Sequence, residues 1–424
     1  MGLTKQVIVG NSAAGLNALQ AIREVDNSCP ITLISIEDCW GYSPVLLTYY
    51  LKGIIPRENL FFVNHNYYEE NRVETKLGCE VIGVNPSRQV VFLKDGEAVK
   101  YDNLLIATGA SPVSLEHSAD AVDHLFYLRT IEDAERILAQ VKYANRVIIV
   151  GAGLIGLQAA EAIFREGIQL TIIEWTNHVL PQIADFTSAS FIQKEIERRG
   201  IVVYLEKKVN KILKVADKVT VITDSNEQLT ADMVVIATGV RSNTQILKNS
   251  GVQVNRGVVV DEAMRTNIDH IFAAGDVCEA KNLITGESQV IQIWSNACRQ
   301  GRIAGLNMAG SAENFDGWLA ENVTTIFGLT VASMGMSELP NRDGIEEIQF
   351  SNPARKIYRK IIVADNKLLG AVLLGDTQDA GILGSFIRNG KDVSSWKEYL
   401  ARSSFETNKL LLSLGIEKNL NLLR

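Results

Sequence analysis

Two short stretches carry residue types whose spacing can hold a dinucleotide. Gly10, Ser12 and Gly15 follow the apolar run Val7-Ile8-Val9, and Gly151, Gly153 and Gly156 follow Val147-Ile148-Ile149-Val150. Glycine permits a sharp turn from strand to helix, and the leading N–H groups of that helix are left free to hold a pyrophosphate. The second stretch is a complete G-x-G-x-x-G; in the first, Ser12 stands at the middle glycine position and is small enough to fit. Each stretch is followed by an acid at the end of another apolar run: Glu37 after Ile31-Thr32-Leu33-Ile34-Ser35-Ile36, and Glu174 after Leu170-Thr171-Ile172-Ile173. A carboxylate so placed accepts from the ribose hydroxyls of an adenosine. After Glu174 come Trp175, Thr176, Asn177 and His178, with no Arg to hold a 2′-phosphate, while Glu174 would repel one. The second site is therefore read as one for NAD(H) rather than NADP(H).

Such turns need parallel strands and helices to carry them. The pattern predicts a helix over 13–25 and another from 157 to 165, each directly after its turn. A buried strand runs into the small-residue turn Ala107-Thr108-Gly109, and 233–240, with Ala237-Thr238-Gly239, echoes it. A loop over 41–53 turns into a short apolar helix ended by Gly53, and 79–84 and 90–93 alternate as strands. Residues 271–277 form a buried strand that delivers Asp276 beside Gly275, and a long helix opens at Trp294 and runs through 307. A helix N-terminus aimed at a cofactor favours negative charge, which suits a reduced, anionic flavin. Past 315 the character changes: 322–329, 356–363 and 368–374 read as antiparallel strands, followed by helices over 382–388, 394–401 and 405–414. The expected fold class is α/β, with two Rossmann-like three-layer nucleotide-binding domains and a C-terminal α+β domain for an interface or dimerisation. The boundaries read 1–112 with 243–312, 113–242, and 313–424.

Composition narrows the function. The 424 residues are 46% hydrophobic and 21% charged, enough for two to four globular domains. A net charge of -7 gives no basic surplus for nucleic acid or anionic lipid, so neither is an expected partner. No apolar run reaches the ~18 residues of a membrane span. The first strand begins so near Met1 that no signal peptide is expected, which places the protein in the cytoplasm. Cys29, Cys39, Cys79, Cys278 and Cys298 contain no C-x-x-C pair, so neither a disulfide framework nor a metal site is signalled. The redox centre is expected to come from outside the polypeptide.

Taken in order, the fingerprints at Gly10 and Gly151, the Ala-Thr-Gly turns at Ala107 and Ala237, and Ala274-Gly275-Asp276 resemble the flavin-dependent pyridine-nucleotide-disulfide oxidoreductases. Within them the chain is most similar to the branch of NADH oxidases, ferredoxin and rubredoxin reductases and the flavin portion of nitrite reductase. The resemblance covers nearly the whole chain and implies FAD in the first domain and NAD(H) in the second. It implies that Gly10, Ser12, Ala14 and Gly15 surround the FAD pyrophosphate and that Glu37 binds its ribose. Val81, Thr108 and Gly109 would flank the adenosine end, Arg129 would neutralise part of the cofactor, Asp276 would bind the ribityl chain and Trp294 would lie by the isoalloxazine. For NAD, it implies Gly151, Gly153, Ile155 and Gly156 at the pyrophosphate, Glu174 at the ribose and Gly239 lining the nicotinamide cleft.

The departures from that family bear on function. Members that reduce disulfides or peroxide carry a cysteine beside the flavin, because a thiolate must attack. Here Tyr42-Ser43-Pro44 is followed by Val45-Leu46-Leu47, and Cys39 lies before the turn, where a thiol is buried or incidental. A Lys and a Glu that pair near the flavin in many members are replaced by Tyr49 and Gln158, the two flavin-adjacent candidates. No side chain is assigned as a catalytic acid or base. The resemblance thus implies an FAD-dependent NADH:acceptor oxidoreductase that exchanges electrons with an iron–sulfur protein of ferredoxin or rubredoxin type, or with a partner subunit. The Tyr42-Ser43-Pro44 loop is similar to that in flavoprotein subunits of 2-oxoacid:acceptor oxidoreductase complexes. A homodimer and a place in a hetero-oligomeric complex are both consistent with this. Two alternatives stay open: a stand-alone NADH oxidase reducing O2, and a flavoprotein interaction module whose assembly responds to NADH.

Overall fold

Strand Gln6–Val9 is buried along its whole length, as a strand covered on both faces must be, and it lies at the centre of a parallel sheet. Its neighbours are Ile31–Ile34 on one side and Asn103–Ile106 on the other, with Val73–Lys76 and Ile271–Ala273 outside them. The computed structural model describes residues 4–115, 123–338, 344–395 and 397–400; the expected helix over 405–414 and the end of the one over 394–401 lie outside these. The chain divides into two compact units, the first drawn from the described parts of Met1–Val113, Arg129–Glu135 and Gly239–Trp318. A meander of Val81–Asn85, Val90–Leu93 and Ala98–Lys100 completes its main strands.

Helices Ala13–Val25 and Trp294–Met308 pack against each other in this unit. Their contact is set by small residues one helical turn apart. A Cβ at Gly301 would stand 2.1 Å from the Ala14 carbonyl oxygen, and one at Gly305 2.3 Å from that of Ala18. The first helix ends where Asp26 leaves helical geometry, and its Ala18, Leu19, Ala21 and Ile22 are fully buried.

The second unit comprises the described parts of Ser114–Leu128, Arg136–Thr238 and Leu319–Arg424. It repeats the arrangement: a parallel sheet in the order Val202–Tyr204, Gln169–Ile173, Arg146–Val150, Met233–Ile236, Leu125–Phe126, with helix Leu154–Ile163 directly after the central strand. A meander of Val209–Val215, Lys218–Thr223 and Gln228–Ala231 follows. The same unit carries an antiparallel sheet in the order Glu321–Ile326, Leu329–Gly335, Lys367–Leu374, Ile357–Ala364, Ile345–Asn352, with helix Ala380–Arg388 packed on it. The α/β class, the two Rossmann-like sheets and the C-terminal α+β element are as expected.

The differences are local. The strand expected over 322–329 is Glu321–Ile326, closed by a turn at Phe327 and Gly328, both at positive φ, as a two-residue hairpin requires. The expected hairpin of 356–363 and 368–374 is Ile357–Ala364 with Lys367–Leu374, and Asp365 and Asn366 take the same left-handed geometry. Strands Leu329–Gly335 and Ile345–Asn352 were not foreseen.

Gly305→Ala is expected to destabilise the first unit. Alanine gains up to about 1 kcal/mol of helix propensity, but its methyl meets a backbone oxygen that cannot rotate away, and overpacking of that kind costs about 1–3 kcal/mol. The midpoint of thermal unfolding should fall by a few degrees; an unchanged or raised midpoint would show that the two helices separate freely.

Candidate functional site

Both glycine turns form backbone cradles. In the first, Gly10 has φ 130°, and a Cβ there would lie 2.1 Å from the Ala107 carbonyl oxygen; one at Gly15 would lie 2.0 Å from that of Gly10. In the second, Gly151 has φ 105°, with 2.3 Å to the Ala237 oxygen, and Gly156 repeats the 2.0 Å approach to Gly151. Ser12 and Gly153 are the N-caps of the two helices, and neither makes a side-chain capping bond, so the leading N–H groups are left for a ligand. A Cβ at Gly153 would meet nothing within 4 Å, which leaves that turn open. Ala14 and Gly15 are buried under the first turn, whereas Ile155 is exposed in the second.

The two acids differ in their surroundings. Glu37 is half-buried, and its Oε2 accepts from the Tyr42 hydroxyl at 2.7 Å. Burial pushes its carboxyl above the usual range, opposed by the Tyr42 hydrogen bond and the Arg129 charge. Burial likewise pushes the Tyr42 phenol up, reinforced by the Glu37 charge. Glu174 is buried: its Oε2 accepts from the Ala152 N–H at 2.6 Å, and its Oε1 from the Thr176 N–H at 3.0 Å and hydroxyl at 2.9 Å.

Several expected ligands of the first unit meet. Arg129 Nη2 lies 2.9 Å from Asp276 Oδ2 and 3.4 Å from where a Cβ of Gly109 would stand. Asp276 is held by its neighbours: Gly275 N–H donates to Gln300 Oε1 at 2.8 Å, and Ser242 Oγ donates to the Asp276 carbonyl at 2.8 Å. Thr108 Oγ1 donates to the Asn243 carbonyl at 2.8 Å, so its hydroxyl is already engaged. Val81 is buried two residues after Cys79, whose N–H donates to the Ser35 carbonyl at 2.8 Å and so ties this segment to the strand that leads to Glu37. Trp294 is the first residue of its helix and meets Phe62 edge to face with centroids 5.5 Å apart. Tyr49 is exposed on helix Leu47–Leu51 of the first unit. Gln158 belongs to the second, where its Nε2 donates to Thr324 Oγ1 at 3.0 Å. Gly239, at φ 109°, accepts from the Val113 N–H at 3.0 Å and would carry a Cβ into open space.

Four positioning groups escaped sequence reading. Asn11 Nδ2 donates to the Cys39 carbonyl at 3.1 Å, and Asn11 Oδ1 accepts from the buried Tyr68 hydroxyl at 2.7 Å. Tyr42, Gln300 and Thr324 hold Glu37, Gly275 and Gln158 as described. Only Tyr42 left a local signal, a phenol five residues from the acid it serves.

Burial pushes Cys39 up to about 11 and raises Cys278 further; Cys29 and Cys298 are raised by the same cause. Among the described residues no group of three or more His, Cys, Asp or Glu could hold a metal ion, and no helix is long and apolar enough to cross a membrane.

Residues 4–301 match the pyridine nucleotide-disulphide oxidoreductase family, and residues 322–391 match the rubredoxin NAD+ reductase C-terminal domain. The chain is 29% identical over 418 residues to the epsilon subunit of NADH-dependent phenylglyoxylate dehydrogenase from Aromatoleum evansii, covering 97% of each. It is 31% identical over 392 residues to an NADH oxidase of Methanocaldococcus jannaschii, covering 88% of this chain and 87% of that one. In fold it resembles the covalent putidaredoxin reductase–putidaredoxin complex, with a TM-score of 0.88, 24% identity and coverage of 97% of this chain and 98% of that chain.

Replacing Asp276 by Ala is expected to weaken FAD retention by about 2 kcal/mol, the size of one hydrogen bond to a charged group. Flavin content after gel filtration reads this directly. A variant that keeps its full flavin would place the ribityl contact elsewhere.

Proposed function

The chain belongs to the pyridine nucleotide-disulphide oxidoreductase family, and from that premise we propose that it is an FAD-dependent NADH:acceptor oxidoreductase passing electrons to an iron–sulfur carrier or a partner subunit. The observation that carries this reading is two intact dinucleotide cradles with no cysteine at the flavin-side position. Val45-Leu46-Leu47 stands where a flavin-side cysteine would be, and Cys39 is held protonated at neutral pH.

The first cradle fits FAD. The turn is too tight at Gly10 and Gly15 for any side chain, so its amides can approach a pyrophosphate, and Glu37 keeps an oxygen free for a ribose. When bound, FAD supplies hydride acceptance from NADH and onward release of electrons, chemistry that no side chain here provides. In this reading residues 1–112 with 243–312 hold FAD. Gly10, Ser12, Ala14 and Gly15 bind the pyrophosphate, Arg129 balances charge against Asp276, and Trp294 shields the ring. Residues 113–242 hold NAD(H), with Gly151, Gly153, Ile155 and Gly156 at the pyrophosphate and Glu174 at the ribose. Residues 313–424 provide an interface. Tyr49 and Gln158, both neutral, leave the flavin without a buried lysine–carboxylate pair. The match to a rubredoxin reductase C-terminal domain supports an iron–sulfur acceptor, and the likeness to a dehydrogenase subunit over 97% of the chain supports a partner subunit. The reading places the protein in the cytoplasm, as a homodimer or within a larger complex.

A second reading, NADH oxidation by O2, is favoured by the likeness to the Methanocaldococcus jannaschii protein. The two are separated by reducing the FAD-loaded protein anaerobically with NADH and offering rubredoxin, ferredoxin or oxygen. Rapid carrier reduction with slow oxygen consumption is expected; fast peroxide formation with no carrier reduced would replace the first reading with the second. Glu174→Gln removes the charge that repels a 2′-phosphate, and the NADPH-to-NADH ratio of kcat/KM should rise about tenfold, or about 1.4 kcal/mol. An unchanged ratio would remove Glu174 from the ribose site.

A further inference from the structure

Glu174 alone is a weak anchor for an adenosine. A carboxylate has roughly four lone-pair sites; the Ala152 and Thr176 N–H groups occupy two of them, and the Thr176 hydroxyl, 2.9 Å from both Glu174 Oε1 and the His178 carbonyl, competes for a third. The next residue is Trp175, 73% exposed. A single exposed apolar side chain needs no explanation in itself, but the place of this one does. Its backbone is fixed on both sides: the Glu174 carbonyl accepts from the Lys207 N–H at 3.0 Å, and the Thr176 carbonyl from the Glu206 N–H at 2.9 Å. The indole thus stands on a rigid stem just past the carboxyl end of strand Gln169–Ile173, the edge at which parallel sheets receive dinucleotides. It is one residue from the acid placed to take the ribose, and the base is joined to that ribose.

We propose that Trp175 forms a wall of the adenine subsite, stacking its indole on the base while Glu174 takes the ribose. An indole is suited to this, because it offers a large flat face at low cost in conformational freedom, and stacking supplies the affinity that the partly occupied carboxylate lacks. Trp175 also fills the position beside the acid with a group that offers a 2′-phosphate no charge. The inference rests on the assignment of the second cradle to NADH.

The test compares FAD-loaded wild type, Trp175→Ala and Trp175→Phe. Calorimetry measures ADP-ribose binding, and flavin reduction is followed with NADH and with reduced nicotinamide mononucleotide, which lacks the adenosine half. Loss of the stack should weaken ADP-ribose binding about tenfold or more. The NADH-to-mononucleotide ratio of kcat/KM should fall by a similar factor, and Trp175→Phe should restore most of both. Trp175→Ala binding ADP-ribose as tightly as wild type, or losing NADH and mononucleotide activity in equal measure, would overturn the proposal. If NADH fails to reduce the wild-type flavin, the assignment of the second cradle falls and this inference with it. If wild-type flavin is reduced and only the variant comparison is flat, this inference alone falls.

Discussion

The structure depends on one close approach made twice. In each unit the first glycine of a strand-to-helix turn passes so near the carbonyl of an alanine just past the end of the adjacent strand, Ala107 or Ala237, that even a methyl group would collide with it. The last glycine of each turn makes the same approach to the first. These contacts hold each helix N-terminus against the end of a neighbouring parallel strand, so that free amides and the Ala-Thr-Gly turn share one edge of the sheet. At Gly10 and Gly151 the constraint is doubled, since both also adopt positive φ. The packing of Ala14 and Ala18 on Gly301 and Gly305 carries the same economy into the body of the first unit, where backbone touches backbone and no side chain intervenes.

Equal backbones leave the acids free to differ. Glu37 receives one donor, from Tyr42, and is raised by burial; Glu174 is buried deeper and receives the Ala152 and Thr176 N–H groups, with a Thr176 hydroxyl shared between it and the His178 carbonyl. A carboxylate with open lone pairs has more to gain from ribose hydroxyls than one that the protein has partly satisfied.

What could be read from the sequence follows the range of the interaction. The glycine turns, the acids after the second strands and the Ala-Thr-Gly ends were legible because backbone sterics act within a few residues. The turns at Asp365 and Asn366 announced their hairpin for the same reason. Strand Ile345–Asn352 was missed because Glu346, Glu347 and Gln349 dilute its apolar alternation, and Leu329–Gly335 because Phe327 and Gly328 split what had looked like the end of a single strand. The groups that orient the cradles were invisible for another reason. Tyr68 reaches Asn11 across 57 positions and Thr324 reaches Gln158 across 166, and no local pattern encodes such a meeting.

The same burial that shapes the first cradle also raises the thiol beside it. Cys39 lends its backbone carbonyl to Asn11 while its thiol is pushed up to about 11. At pH 7 a thiol of that kind is thiolate in roughly one molecule in ten thousand, too few for nucleophilic attack on sulfur or peroxide to carry turnover. Lowering that value would need a nearby cation or helix N-terminus aimed at the sulfur. The Arg57 charge acts in that direction, but desolvation, with the Glu37 charge added to it, outweighs it. A charged Glu37 and a charged Cys39 thiolate therefore oppose each other within this loop, and the protein keeps the carboxylate.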